Sequence, residues 1–195
     1  MFAYVDDVAA WEPWQREYRY GAFYVFPPVG VIDAVDALRE IHDPVSAATC
    51  RAHISLTAPV PGPIDEPQFA EMADCLAFAP FEVAYGPLRT FLPHPGVVYD
   101  VGPQETLRAL RQALHATSGF QDLAPLRSAV RFHMTVAEFI SPERTIELLN
   151  ALAGNVPIGV FNCDAVEYAV PDERFRFERV AVLPLGPPPD RSSPP

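Results

Sequence analysis

Apolar residues recur along this chain with two periods, and the switches between them divide it into strands and helices. Gly21-Ala22-Phe23-Tyr24-Val25-Phe26, closed by Pro27-Pro28, is a dense run of β-formers and predicts a strand. From Val29 to Ile41 the residues Val31, Val35, Leu38 and Ile41 return at helical spacing, with Asp33 and Asp36 between them, so a helix is predicted that ends near His42-Asp43-Pro44. A second strand is predicted over 51–57, stopped by Pro59 and Pro61, and a helix over 67–78 with Phe69, Met72, Ala73 and Leu76 on one side. Three strands follow at 81–86, 88–92 and 97–101, separated by Gly86-Pro87 and by Pro93-His94-Pro95-Gly96. Residues 104–115 carry Leu107, Leu110, Arg111 and Leu114 in helical register, and Gly119-Phe120 closes the segment. A strand over 130–139 and a helix from Pro142 to Leu152, N-capped by Ser141, come next. Strands over 156–160, 165–170 and 175–183 complete the series. Each half reads strand, helix, strand, with further strands appended.

Two of these strands share a polar stripe. In Arg131-Phe132-His133-Met134-Thr135-Val136 every second residue is polar, so Arg131, His133 and Thr135 share one face while Phe132, Met134 and Val136 share the other. Arg51-Ala52-His53-Ile54-Ser55-Leu56 repeats the order Arg, His, hydroxyl with the same apolar filler. In each, one face is wet and the other belongs to a core.

That repetition carries chemistry. A His and a hydroxyl two residues apart on a strand lie roughly 6.6 Å from each other on one face, a span that can bracket a phosphate. Two imidazoles can act as base and acid in a displacement at phosphorus, with no metal required. Ser55 and Thr135 would donate to the non-bridging oxygens. Arg51 and Arg131 stand one step further along, where they either contact phosphate or neutralise nearby carboxylates. His115, two residues before Thr117, is in a helical context and reads as a surface residue, because positions i and i+2 of a helix do not face each other. His42 reads as a partner of its helix C-terminus and His94 as a solvent turn, or else a loop residue reaching a cleft; Trp11, Trp14, Tyr18 and Tyr20 read as an N-terminal arm packed on the body, with stacking on a nucleobase as the alternative.

Composition narrows the classes. At 195 residues and 49% hydrophobic content the chain suits one packed domain, expected over 1–185, and its 23 prolines favour short, sharply punctuated elements. Residues 186–195, rich in proline and without other apolar side chains, read as a disordered tail. The formal net charge of −11 argues against long nucleic acid held through its phosphates. Every basic residue is arginine, so no lysine nucleophile or Schiff base can be invoked. The three cysteines, Cys50, Cys75 and Cys163, fit reduced thiols, and Cys50 with His53 lacks a second ligand pair at zinc spacing. No signal-like segment or long apolar run is found, so a cytoplasmic protein without membrane contact is expected.

At His53-Ile54-Ser55-Leu56 and His133-Met134-Thr135-Val136 the sequence resembles the two-histidine (2H) phosphoesterase superfamily, in particular its bacterial 2'-5' RNA ligase and RNA 2',3'-cyclic phosphodiesterase branch. The likeness extends from about Tyr20 to Leu183 and includes the Phe91-Leu92-Pro93 bend. It implies an α+β bilobal fold, with two pseudo-symmetric antiparallel sheets flanked by helices that exchange strands, and one motif from each lobe in a central cleft. It further implies metal-independent chemistry at a phosphodiester with His53 and His133 as acid and base, hydroxyls on the phosphate, and no cofactor. Two departures stand out: Ser55 where threonine is commoner, and Ala137-Glu138 where relatives often carry a basic residue. The expectation is a monomeric cyclic phosphodiesterase or 2'-5' phosphodiester hydrolase acting on a small nucleotide or RNA end. The alternatives are a non-catalytic nucleotide or phosphometabolite binder using the same cleft, and a 2'-5' RNA ligase.

Overall fold

Polar side chains, as much as ladder bonds, shape the first histidine strand in the computed structural model, which describes residues 2–90, 95–121 and 131–186. The bend at 91–93, His94, the first residue of the strand predicted at 130 and the tail at 187–195 lie outside the described residues. The elements run α1 (Pro13–Arg16), β1 (Ala22–Val25), α2 (Val29–His42), α3 (Pro44–Thr49), β2 (Ile54–Ser55), α4 (Glu66–Asp74) and β3 (Phe81–Thr90). They continue with β4 (Gly96–Gly102), α5 (Gln104–His115), β5 (His133–Glu138), α6 (Pro142–Leu152), β6 (Gly159–Cys163), β7 (Ala165–Pro171) and β8 (Phe177–Pro184).

The expected α+β class is present, with every strand pairing antiparallel. The two expected sheets are joined: among the described residues the strands form one eight-stranded sheet in the order β6-β3-β4-β5-β2-β1-β7-β8. That order is symmetric about its middle, four strands on each side, and the middle pair β5 and β2 carries the two histidine motifs. The joint is thin, a registered pair of Ile54 with Met134. Both side chains are fully buried, together with Phe23, Val35, Tyr99, Leu107, Leu110 and Leu114 in the main core. Removing a side chain of that size from water stabilises by about 1.5–3 kcal/mol, so the seam is narrow in hydrogen bonds but not in packing.

Three predicted elements change. β2 keeps only two of seven predicted residues, because the segment before it bonds to side chains: the Ala52 N–H donates to Asp36 at 2.9 Å. After it, Leu56 and Thr57 N–H both converge on the Phe23 carbonyl, at 3.0 and 3.2 Å. The strands predicted on either side of Gly86-Pro87 are one strand, β3, whose register against β4 slips between Tyr85 and Leu88, since proline has no N–H to give the ladder. β6 lies three residues beyond its predicted start: Phe161 and Cys163 point inward, while Ile158 and Val160 are exposed. The short helix α3 was not predicted. Asp43, its N-cap, accepts from the Ser46 N–H at 3.1 Å, and Pro44 occupies the first turn.

Candidate functional site

The Ile54–Met134 register decides what the cleft presents. With Ile54 opposite Met134 in antiparallel strands, His53 falls opposite Thr135 and Ser55 opposite His133, all on the face away from the core. Opposed residues have Cβ atoms about 4.5–5.5 Å apart and diagonal ones about 7–8 Å. The four side chains therefore alternate around a quadrilateral, imidazole, hydroxyl, imidazole, hydroxyl, with the two histidines on one diagonal. All four line a single cleft of about 350 Å³. A larger depression of about 840 Å³ beside Asp6, Asp7 and Glu173 has no histidine in its lining.

The two imidazoles are held alike. His53 Nδ1 lies 2.6 Å from the Arg51 carbonyl oxygen and His133 Nδ1 lies 2.9 Å from that of Arg131. A carbonyl only accepts, so Nδ1 is the protonated nitrogen of the neutral ring and Nε2 carries the lone pair. Tyr24 meets the His53 ring edge-on at 4.7 Å and Phe26 lies 5.9 Å from it. Burial lowers the His53 pKa from its ordinary 6.5 to about 4; the Arg51 carbonyl opposes this and the charges of Arg39 and His133 add to it. His133 is also lowered by burial, against the pull of the Arg131 carbonyl.

Beneath His53 lies a buried network that the sequence did not disclose. The Arg39 guanidinium, 3% exposed, lines the cleft and donates to Asp36 at 2.7 Å, to the Cys50 carbonyl at 2.7 Å and to the Ser46 carbonyl at 2.8 Å. Asp36 also accepts from the Ala52 N–H and from Arg51. The i, i+3 spacing of Asp36 and Arg39 on α2 was the available signal. Cys50 is no candidate nucleophile, because burial pushes its thiol up to about 12.

Arg51 and Arg131 do not line the cleft. Arg51 is drawn to Asp36 and, at 2.6 Å, to Asp33; Arg131 makes a two-pronged contact with Asp100 at 2.7 and 2.8 Å. Of the two roles open to them, neutralising carboxylates is the one seen. The halves differ, however. Arg89 also reaches Asp100, at 2.8 Å, so two guanidiniums share one carboxylate beside His133, which is registered opposite Asp100.

At the other end of β5 the alternation breaks. Val98 is registered opposite Thr135 and Val97 opposite Ala137, which leaves Val136 as an inserted residue. Val136 and Ala137 are consequently both fully buried, and Glu138, which unbroken alternation would turn toward the core, faces the cleft. Gly96 stands opposite Glu138, where a Cβ would lie 2.7 Å from the Ala137 carbonyl oxygen. The Glu138 N–H donates to the Asp43 carboxylate at 3.0 Å, and Ser46 Oγ lies 3.4 Å from Glu138 Oε1. The next residue, Phe139, has a left-handed φ of 55° and is 81% exposed at the cleft mouth. Trp14 and Tyr18, read from sequence as packing, pack on Phe175 and also line the cleft.

His115, read as a surface residue, is instead partly buried against Phe120 at 4.5 Å. Its Nε2 accepts from the Ala58 N–H at 3.2 Å, because the chain leaving β2 crosses over it. Burial lowers its pKa to about 4.

The sequence model of the 2'-5' RNA ligase superfamily matches residues 27–183. Among solved structures, the crystal structure of E. coli LigT in its apo form is similar at a TM-score of 0.56 and 15% identity, over 85% of this chain and 96% of that one. A crystal structure of a phosphoesterase gives 0.55 and 15%, over 85% and 97%. LigT complexed with 3'-AMP gives 0.55 and 16%, over 84% and 95%. No curated protein sequence matches.

Proposed function

The chain belongs to the 2'-5' RNA ligase superfamily, and within it we propose a metal-independent phosphodiesterase that opens a small 2',3'-cyclic phosphate or cuts a 2'-5' linkage at a nucleotide or RNA end. The observation that carries this reading is the alternation of His53, Thr135, His133 and Ser55 around one cleft. A phosphate seated over that quadrilateral meets an imidazole Nε2 on each of two opposite sides and a hydroxyl on each of the other two. One imidazole takes the proton of the attacking water as the P–O bond to that oxygen forms. The other returns a proton to the leaving ribose oxygen as its bond to phosphorus breaks. The hydroxyls hold the non-bridging oxygens, where charge accumulates.

Burial favours the neutral form of both rings, so the base is ready and the acid is made when substrate arrives. An anion between the imidazoles favours their protonated forms and raises their pKa. The guanidinium surplus of Arg89 and Arg131 at Asp100, beside His133, supplies positive potential in a chain that has no lysine. The LigT complexes with 3'-AMP and with ATP add support for a nucleotide-sized ligand.

The test is turnover of 2',3'-cyclic nucleotides and 2'-5' dinucleotides in the presence of a chelator, with 2' and 3' phosphate products resolved. Cleavage is expected, and His53→Ala and His133→Ala should each lower the rate by about 10²–10⁴. Full turnover by both variants, or loss of wild-type activity in chelator, overturns the reading.

A further inference from the structure

Phe132, the residue before His133, is held by a side chain at a point where the sheet ladder has not yet begun. Registered pairing of β4 with β5 starts at Asp100 and His133. One step ahead of it the Gln104 amide, at the first position of α5, takes the place of the ladder: its Oε1 accepts from the Phe132 N–H at 3.0 Å, and its Nε2 donates to the Phe132 carbonyl at 2.8 Å and to the Val101 carbonyl at 2.7 Å. The oxygen and both N–H bonds of the amide are thereby used, a set that neither an ionised carboxylate nor a hydroxyl reproduces. The same contact reaches His133 through a single peptide. The Arg131 carbonyl, which accepts from His133 Nδ1, and the Phe132 N–H, which donates to Gln104, are the two ends of one planar group, so fixing one end fixes the other. The first half of the chain repeats the construction: the Arg51 carbonyl accepts from His53 Nδ1, and the Ala52 N–H of that same peptide donates to Asp36 of α2.

We propose that Gln104 is the positioning residue of His133, orienting its imidazole through the Arg131–Phe132 peptide as Asp36 orients that of His53 through the Arg51–Ala52 peptide. Its kinetic consequence rests on the reading of the cleft as a phosphodiesterase site. What passes along each path is orientation and polarisation, and no proton leaves Nδ1. A peptide that donates at its N–H becomes a better acceptor at its C=O, so the helix side chain both aims the carbonyl and strengthens its hold on the ring. That hold keeps the proton of the neutral imidazole on Nδ1 and off Nε2, the nitrogen that must take a proton from, or give one to, the reacting oxygens. Of the two paths, the one through Gln104 can be cut cleanly. Asp36 also accepts from Arg39 and Arg51, so its removal unbalances buried charge, whereas Gln104 is neutral and half-buried.

The test measures kcat and KM for 2',3'-cyclic nucleotides, and records ¹⁵N spectra of the histidine rings, in the wild type, Gln104→Leu and Gln104→Ala. Leucine keeps the bulk of the side chain, and alanine cannot crowd the junction of β4 and β5. Each variant should lower kcat about tenfold or more while KM stays within about twofold, because the ring is misaimed and the hydroxyl contacts to phosphate remain. In the spectra His133 should lose its uniform Nδ1–H tautomer while His53 keeps its own. Wild-type kcat with an unchanged His133 signal overturns the positioning role and leaves the phosphodiesterase standing. Equal disturbance of both rings, or failure of both variants to fold, makes Gln104 a support of the fold at large and likewise overturns the role. A His133 tautomer that shifts in both variants, with no turnover of any substrate by the wild type, keeps Gln104 in its role and overturns the phosphodiesterase.

Discussion

His53 points its Nδ1 at the carbonyl oxygen of Arg51, two residues back along its own strand, and His133 does the same with Arg131. The backbone thus fixes which nitrogen of each ring carries the proton. ¹⁵N spectra of the free protein at pH 7 should show both rings as the Nδ1–H tautomer, with Nε2 unprotonated. An Nε2–H tautomer on either ring would remove its ability to act as the base.

Acidity should weaken the fold through histidine before it does so through carboxylates. His53 and His115 are both held near pKa 4, while an unfolded chain takes up these protons near 6.5. The unfolded state then binds more protons across pH 4–6.5, so stability is complete above that window and falls as pH drops through it. His53 contributes up to about 1.4 kcal/mol per pH unit, and the more accessible His115 less. Urea unfolding at pH 7 and pH 5 should show the loss, and His53→Asn should make the profile shallower. Equal midpoints at the two pH values would contradict it.

Asp36 and Asp33 both accept from Arg51, yet their removal should differ sharply. Asp36 is 6% exposed and balances the buried Arg39, so Asp36→Ala leaves an uncompensated interior charge and should cost about 3–5 kcal/mol in denaturant unfolding. Asp33 sits on an exposed pair, and Asp33→Ala should stay within about 0.5 kcal/mol. Similar losses for the two would mean that Arg39 is not held by Asp36.

Much of this site is readable in the sequence, and the misses share a cause. Period two placed His53 and Ser55 on one face, and His133 and Thr135 on one face, because strand geometry is local. It also carried Arg51 and Arg131 one step too far, because both precede their strands and their long side chains follow nearby carboxylates, Asp36 and Asp100, brought close by other elements. Arg39 was hidden on a helix whose inward face looked merely apolar. Joining the two expected sheets required knowing that Ile54 meets Met134, a contact between distant parts of the chain that no local pattern encodes.

Phe139 should trade stability against binding. Its left-handed backbone is unfavourable for a bulky residue, and its ring is mostly in water, so Phe139→Asn should raise the unfolding free energy by up to about 1 kcal/mol. The same change should raise KM for a cyclic nucleotide more than it lowers kcat. A destabilised variant with unchanged KM would mean the ring packs on the protein.

The single residue inserted at Val136 acts as a parity switch: beyond it, odd and even positions exchange faces. Counting from the histidine therefore misplaces everything after the insertion, and a protein with glutamate at the same distance from its motif but an unbroken strand turns that side chain into its interior. Two sequences can agree letter for letter through this motif and still offer a ligand opposite sets of residues, so substrate preference among such proteins follows the presence of the extra residue as closely as the identity of its neighbours.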